Sequence, residues 1–123
     1  MPGLFDEVSS KAPLLEDLRF LSEEERGLLV WESIVSLQGE TFRTSGRGPR
    51  AGVDFTYRIV GREMFIDRKS KSITQSSVLL SLERAIQVQE SEGRVSGPKK
   101  IGTFGASYLY PIFLRLGLIT SGL

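Results

Sequence analysis

Along the first third of the chain, polar and acidic residues alternate with apolar ones at helical spacing. Pro13, followed by Leu14, Leu15 and Leu18, predicts a short helical turn, because proline is well placed at a first helical position. This turn closes a lead-in over residues 1–20. The run Ser22-Glu23-Glu24-Glu25 then matches a capping box and predicts a helix from Ser22 to near Gly39, a suitable C-terminal cap. Its expected buried stripe is Leu28, Leu29, Trp31, Ile34 and Val35. The three glutamates fall in the first turn, where the helix dipole favours negative charge, so capping alone explains them.

The pattern next changes to alternation. Thr41-Phe42-Arg43-Thr44 reads as a short strand, and residues 45–52, rich in glycine and arginine, as a loop. Phe55, Tyr57 and Ile59 alternate with Thr56 and Arg58, and Gly61 separates them from Glu63-Met64-Phe65-Ile66-Asp67. That is a β-hairpin pattern with its turn at Val60-Gly61 or Gly61-Arg62. Ser72-Ile73-Thr74-Gln75 repeats the capping logic and opens a helix carrying Val78, Leu79, Leu82, Ala85, Ile86 and Val88 to about Glu90. Residues 91–103 read as a loop with at most one short strand. A last helix is expected over Ser107 to Leu116, with Pro111 near its start and Gly117-Leu118 as a Schellman-type end. The order predicts an α+β fold in a single domain, residues 1–123. A small antiparallel sheet, made of a β-hairpin plus one or two short strands, is covered by about three helices.

Composition narrows the chemistry. With 123 residues, 40% hydrophobic, 25% charged and a mean hydropathy of -0.07, the chain has the make-up of an ordinary soluble protein. No apolar run reaches the roughly 18 residues of a membrane span, and Met1 to Glu7 lacks the basic start of a leader, so a cytoplasmic location with no membrane partner is expected. The chain has no cysteine and no histidine. Disulfides, zinc–thiolate sites, cysteine nucleophiles and histidine bases are therefore excluded. Carboxylate and lysine chemistry, carboxylate-bound magnesium or manganese, and binding without catalysis remain, and no cofactor is expected.

Charge is segregated although the net value is only +1. Residues 1–40 hold nine acidic side chains against three basic ones, whereas residues 41–100 hold twelve basic against six acidic. Arg62, Arg68, Lys69 and Lys71 form the densest basic group. A basic face attracts polyanions, unless the acidic segment packs beside it and neutralises it. The stretch Arg68-Lys69-Ser70-Lys71-Ser72-Ile73-Thr74 is the strongest candidate site. It places cations and hydroxyls at an expected helix start, where backbone amides favour phosphate. Arg47 and Arg50 in one loop, and Lys99 and Lys100 in another, are candidates to join it, with Tyr108 as a stacking or hydrogen-bonding residue.

Three other readings compete with backbone recognition. A small-nucleotide site, closed by a homo-oligomer, would stack its base on Tyr57, Tyr108 or Phe104. An interaction module would turn the acidic N-terminal region toward a basic protein. A third reading concerns Asp54, Asp67 and Lys69, whose spacing Asp-x12-Asp-x-Lys resembles the metal-dependent nuclease superfamily written PD-(D/E)xK, with Val53 in place of its proline. The resemblance spans about residues 22–90 and implies two carboxylates on magnesium with a lysine near the attacked phosphate. An Asp54–Lys69 cross-strand ion pair explains the same residues without catalysis. More broadly, Thr41 to Thr44, Phe55-Thr56-Tyr57, Arg68 to Thr74 and Gly97-Pro98-Lys99-Lys100 through Phe104 to Pro111 are similar to a group of small uncharacterised bacterial proteins. That similarity implies a bacterial or phage-related origin and assigns no functional residue. The leading expectation is a non-enzymatic protein that recognises a phosphate-bearing partner, DNA or RNA foremost, through Arg68, Lys69, Lys71, Ser72 and Thr74.

Overall fold

A computed structural model of the chain describes residues 13–45 and 52–122. Among these the element order is α1 (Pro13–Leu18), α2 (Glu23–Ser36), β1 (Phe42–Arg43), β2 (Asp54–Phe55), β3 (Tyr57–Val60), β4 (Glu63–Ile66), β5 (Ile73–Thr74), α3 (Gln75–Glu92), a 3-10 turn (Pro98–Lys100) and α4 (Ala106–Arg115). The architecture is α+β, as the alternation of patterns predicts, with four α-helices and two antiparallel sheets of two and three strands.

Helix α2 starts as expected. Ser22 caps it, its hydroxyl accepting from the Glu25 amide while the Glu25 carboxylate accepts from the Ser22 amide. It ends earlier than predicted, at Ser36, because Gly39 leaves the helix to donate its amide to the Tyr57 carbonyl. The buried stripe also differs. Gly27, Val30, Trp31 and Ile34 face the core, whereas Leu28 is 58% exposed and Leu29 is also exposed. The stripe turns because Gly27 receives Leu79 of α3 in the space its missing side chain leaves, and Arg26 and Glu83 join the same pair of helices by a bidentate ion pair of 2.7 and 3.0 Å. The Arg26 guanidinium is held above its ordinary pKa by that hydrogen-bonded carboxylate.

The predicted hairpin is β3–β4, with Tyr57 opposite Ile66 and Val60 opposite Glu63. Its turn is Gly61-Arg62. The left-handed φ of Gly61, +62°, with none at Arg62, is the type II′ pattern. Upstream, the chain breaks at Thr56. Phe55 pairs with Phe42 in a separate two-stranded sheet, so both Phe55 and Tyr57 are buried on the same core despite lying two residues apart in different sheets. The third strand of the larger sheet, β5, is a correction to the sequence reading. Ile73 pairs with Met64 and Thr74 with Glu63, so these residues are a strand and not the first turn of a helix.

Helix α3 accordingly begins at Gln75 and runs two residues past Glu90 to Glu92. Helix α4 covers Ala106–Arg115 and keeps Pro111 inside it, further from its start than expected. Its end is a complete Schellman motif, in which the Leu118 amide donates to Phe113 and the Gly117 amide to Leu114. α4 packs on α3, on β1 and on the 3-10 turn. Two buried phenols fasten this core to the backbone. Tyr57 donates to the Ile34 carbonyl at 2.5 Å and Tyr110 to the Val95 carbonyl at 2.6 Å.

Candidate functional site

Pairing β5 with β4 changes what the basic segment is. Residues 67–72, Asp67-Arg68-Lys69-Ser70-Lys71-Ser72, form the connecting loop of a β-hairpin, and the helix starts beyond it. The expected cap moves as well. Thr74, not Ser72, accepts from the Ser77 amide at 3.2 Å, and Ser72 donates its hydroxyl to the Glu63 carboxylate at 2.5 Å. The Gln75 amide donates to the Arg62 carbonyl at 2.8 Å. Two first-turn amides of α3 are thus satisfied by the protein itself, and a carboxylate stands beside Ser72. Ser72 and Thr74 have partners within the protein, and two of the helix amides the sequence offers to an anion are already in use.

The cations of the loop are differently placed. Arg68 is exposed and donates through Nε to the Asp54 carbonyl at 2.8 Å, which ties the loop to β2 and leaves the rest of its guanidinium outward. Lys71 is exposed. Lys69 donates to the Lys71 carbonyl at 3.1 Å and rests over the Phe104 ring, its Nζ 4.1 Å from the ring centroid. Desolvation, and then the charge of Lys71, pull the Lys69 ammonium below the ordinary lysine pKa. An anion brought to this loop would oppose that shift by attracting the charged form.

Phe104 belongs to the second basic segment, so the two segments meet. Three contacts fix the meeting point. Lys69 covers Phe104, the Ser81 and Thr103 hydroxyls share a hydrogen bond of 2.5 Å, and Gly105 lies so close to Ile73 that a Cβ at position 105 would collide with the Ile73 Cδ1. Gly105 also has a φ of +82°, a conformation that glycine adopts without strain. Lys99 in the 3-10 turn is exposed, whereas Lys100 pairs with Glu92 at 3.2 Å. Among the described residues no carboxylate forms an ion pair with Arg68, Lys69, Lys71 or Lys99, and no ion pair joins an acidic residue of 1–40 to a basic residue of 41–100.

The remaining candidates separate from this group. Arg47 and Arg50 lie outside the described residues. Tyr108 is half-buried and meets the Phe55 ring edge-on at 5.0 Å, so its ring is a packing element first. Tyr57 is buried and cannot stack on a ligand in this conformation. The three residues of the nuclease-like spacing have other partners. Asp54 pairs with Arg43 at 2.7 Å, Asp67 accepts from the Thr56 amide at 3.1 Å, and Lys69 lies on Phe104 and not on Asp54. Phe104 is the residue that the sequence undervalues, giving it only as one stacking option of the nucleotide reading. Its signal is an aromatic residue set directly before a glycine in a polar loop, with no alternating neighbour to bury it.

A second surface feature lies between α2 and α3, a groove of about 500 Å³ lined by Glu23, Glu24, Gly27, Ser76, Leu79, Leu80 and Glu83. Its carboxylate rim, with Glu83 already paired to Arg26, disfavours anions. Comparison with protein-family models, curated proteins and solved structures finds no match. Among the described residues no helix is long and apolar enough to cross a membrane.

Proposed function

We propose that this chain is a cytoplasmic, non-enzymatic binding protein that recognises the phosphate backbone of DNA or RNA. The observation that carries this reading is the meeting of the β4–β5 loop with the loop before α4, where Lys69 touches Phe104. Arg68, Lys69 and Lys71 lie in the first of these loops and Lys99 in the 3-10 turn that leads into the second, and none of them is spent on an internal carboxylate among the described residues. Cations without an internal carboxylate attract phosphates and release the counterions condensed on the nucleic acid, so affinity falls with salt. The reading rests on side-chain charge and no longer on helix amides.

If these four cations each meet one phosphate of a single strand, log affinity should fall against log salt with a slope of about -3. Fluorescence anisotropy with a labelled oligonucleotide measures this directly. The double variant K69E/K71E should weaken binding at least tenfold and flatten the slope, because it replaces two attractions by two repulsions. Affinity unchanged by that variant, or unchanged by salt, refutes the reading.

A further inference from the structure

The ligand class can be narrowed by asking why a large aromatic side chain stands at the junction of the two basic loops. Phe104 is 49% exposed, although burying a phenyl ring stabilises a fold and the core lies close by, with Ile73 packed against the neighbouring Gly105. The ring is not loose. Its backbone is held on one side by the Ser81–Thr103 hydrogen bond and on the other by the tight Gly105–Ile73 approach, and Lys69 lies over the ring. With its neighbours Thr103 and Gly105 anchored and Lys69 over one face, the half-exposed ring can offer its remaining open surface to another flat ring.

In a duplex the bases are already stacked on one another, so a side chain at a loop reaches only phosphates and base edges. An unpaired base offers its whole face, and stacking it on an aromatic side chain contributes about 1–3 kcal/mol, or about 5- to 150-fold in affinity. A free mononucleotide would satisfy the ring but would leave most of Arg68, Lys69, Lys71 and Lys99 without a phosphate. Resting on the backbone-binding reading above, we propose that the protein binds single-stranded nucleic acid, with Phe104 stacking one unpaired base while the neighbouring cations hold the flanking phosphates. DNA and RNA strands share this chemistry, and separate probes distinguish them.

The test titrates the full chain with labelled oligo-dU and oligo-U of twelve nucleotides, with a twelve-base-pair duplex and with a mononucleotide. The single strands should bind at least tenfold more tightly than the duplex or the mononucleotide, and the tighter of the two homopolymers names the sugar. Phe104→Ala should weaken single-strand binding about tenfold and leave duplex binding unchanged, whereas Phe104→Trp should retain affinity, with the added indole emission quenched on binding. Phe20→Ala removes another exposed phenylalanine, in the acidic third of the chain, and should leave affinity unchanged. Because the Phe104 ring is half-exposed, circular dichroism of Phe104→Ala should match the parent. If Phe104→Ala binds like the parent, or the duplex binds as tightly as the single strands, while K69E/K71E still abolishes binding, this inference falls and the backbone reading stands. If no oligonucleotide binds, both fall.

Discussion

Gly105 is where the two basic loops depend on a single missing methyl group. Gly105→Ala places a β-carbon against Ile73 and forces a left-handed φ on a residue that resists it. It should cost about 1–3 kcal/mol, with the collision and the strain both contributing. Urea unfolding measures the cost. A neutral result would mean that the loop yields, and that Phe104 is not held by its neighbour. At this scale charge was legible in the sequence and geometry was not. Lys69, Lys71 and Lys99 could be named as candidate cations because a charge belongs to the residue itself. That Lys69 would lie on Phe104, and not near Asp54, depends on a contact far along the chain that no local pattern encodes.

At the scale of elements the disputed feature is the start of α3. The sequence points to Ser72, whose hydroxyl would reach the Gln75 amide, and does not identify Thr74 as the cap. The fold does, because pairing Ile73 with Met64 keeps residues 73–74 extended, so the helix starts after Thr74. Thr74→Ala should therefore cost about 1 kcal/mol, the usual worth of an N-cap, while Ser72→Ala should stay within about 0.5 kcal/mol because its partner Glu63 is exposed. Thermal unfolding of the two variants decides between the caps. A two-residue strand such as β5 is too short to show a period, so the sequence pattern merges it with the helix that follows. The longer α2, the β3–β4 hairpin and the Schellman end of α4 were legible because each repeats its pattern or carries its turn residue. The buried side of α2 was legible in part: Trp31 and Ile34 are buried as expected, but Gly27, which supplies no hydrophobic signal, is the position that receives Leu79 of α3.

For the molecule as a whole, two of the three tyrosines are built into the core as hydrogen-bond donors. Burial, and for Tyr57 also the charge of Glu40, raises their pKa above the ordinary value of 10. Both are neutral in folded and unfolded chains below that value, so their full contribution to stability is present there. Above about pH 10 the unfolded chain ionises first, and stability should fall by up to about 1.4 kcal/mol per pH unit for each buried phenol. Denaturant midpoints at pH 9 and pH 11 test this, and Tyr57→Phe should make the decline shallower while costing about 1 kcal/mol at neutral pH. These titrations can be followed without any label. The chain has one tryptophan, Trp31, and it is sealed inside α2 on the core side. Its emission should respond to loss of structure and remain silent when an oligonucleotide docks, so every binding curve can carry an internal control for whether the protein is still folded.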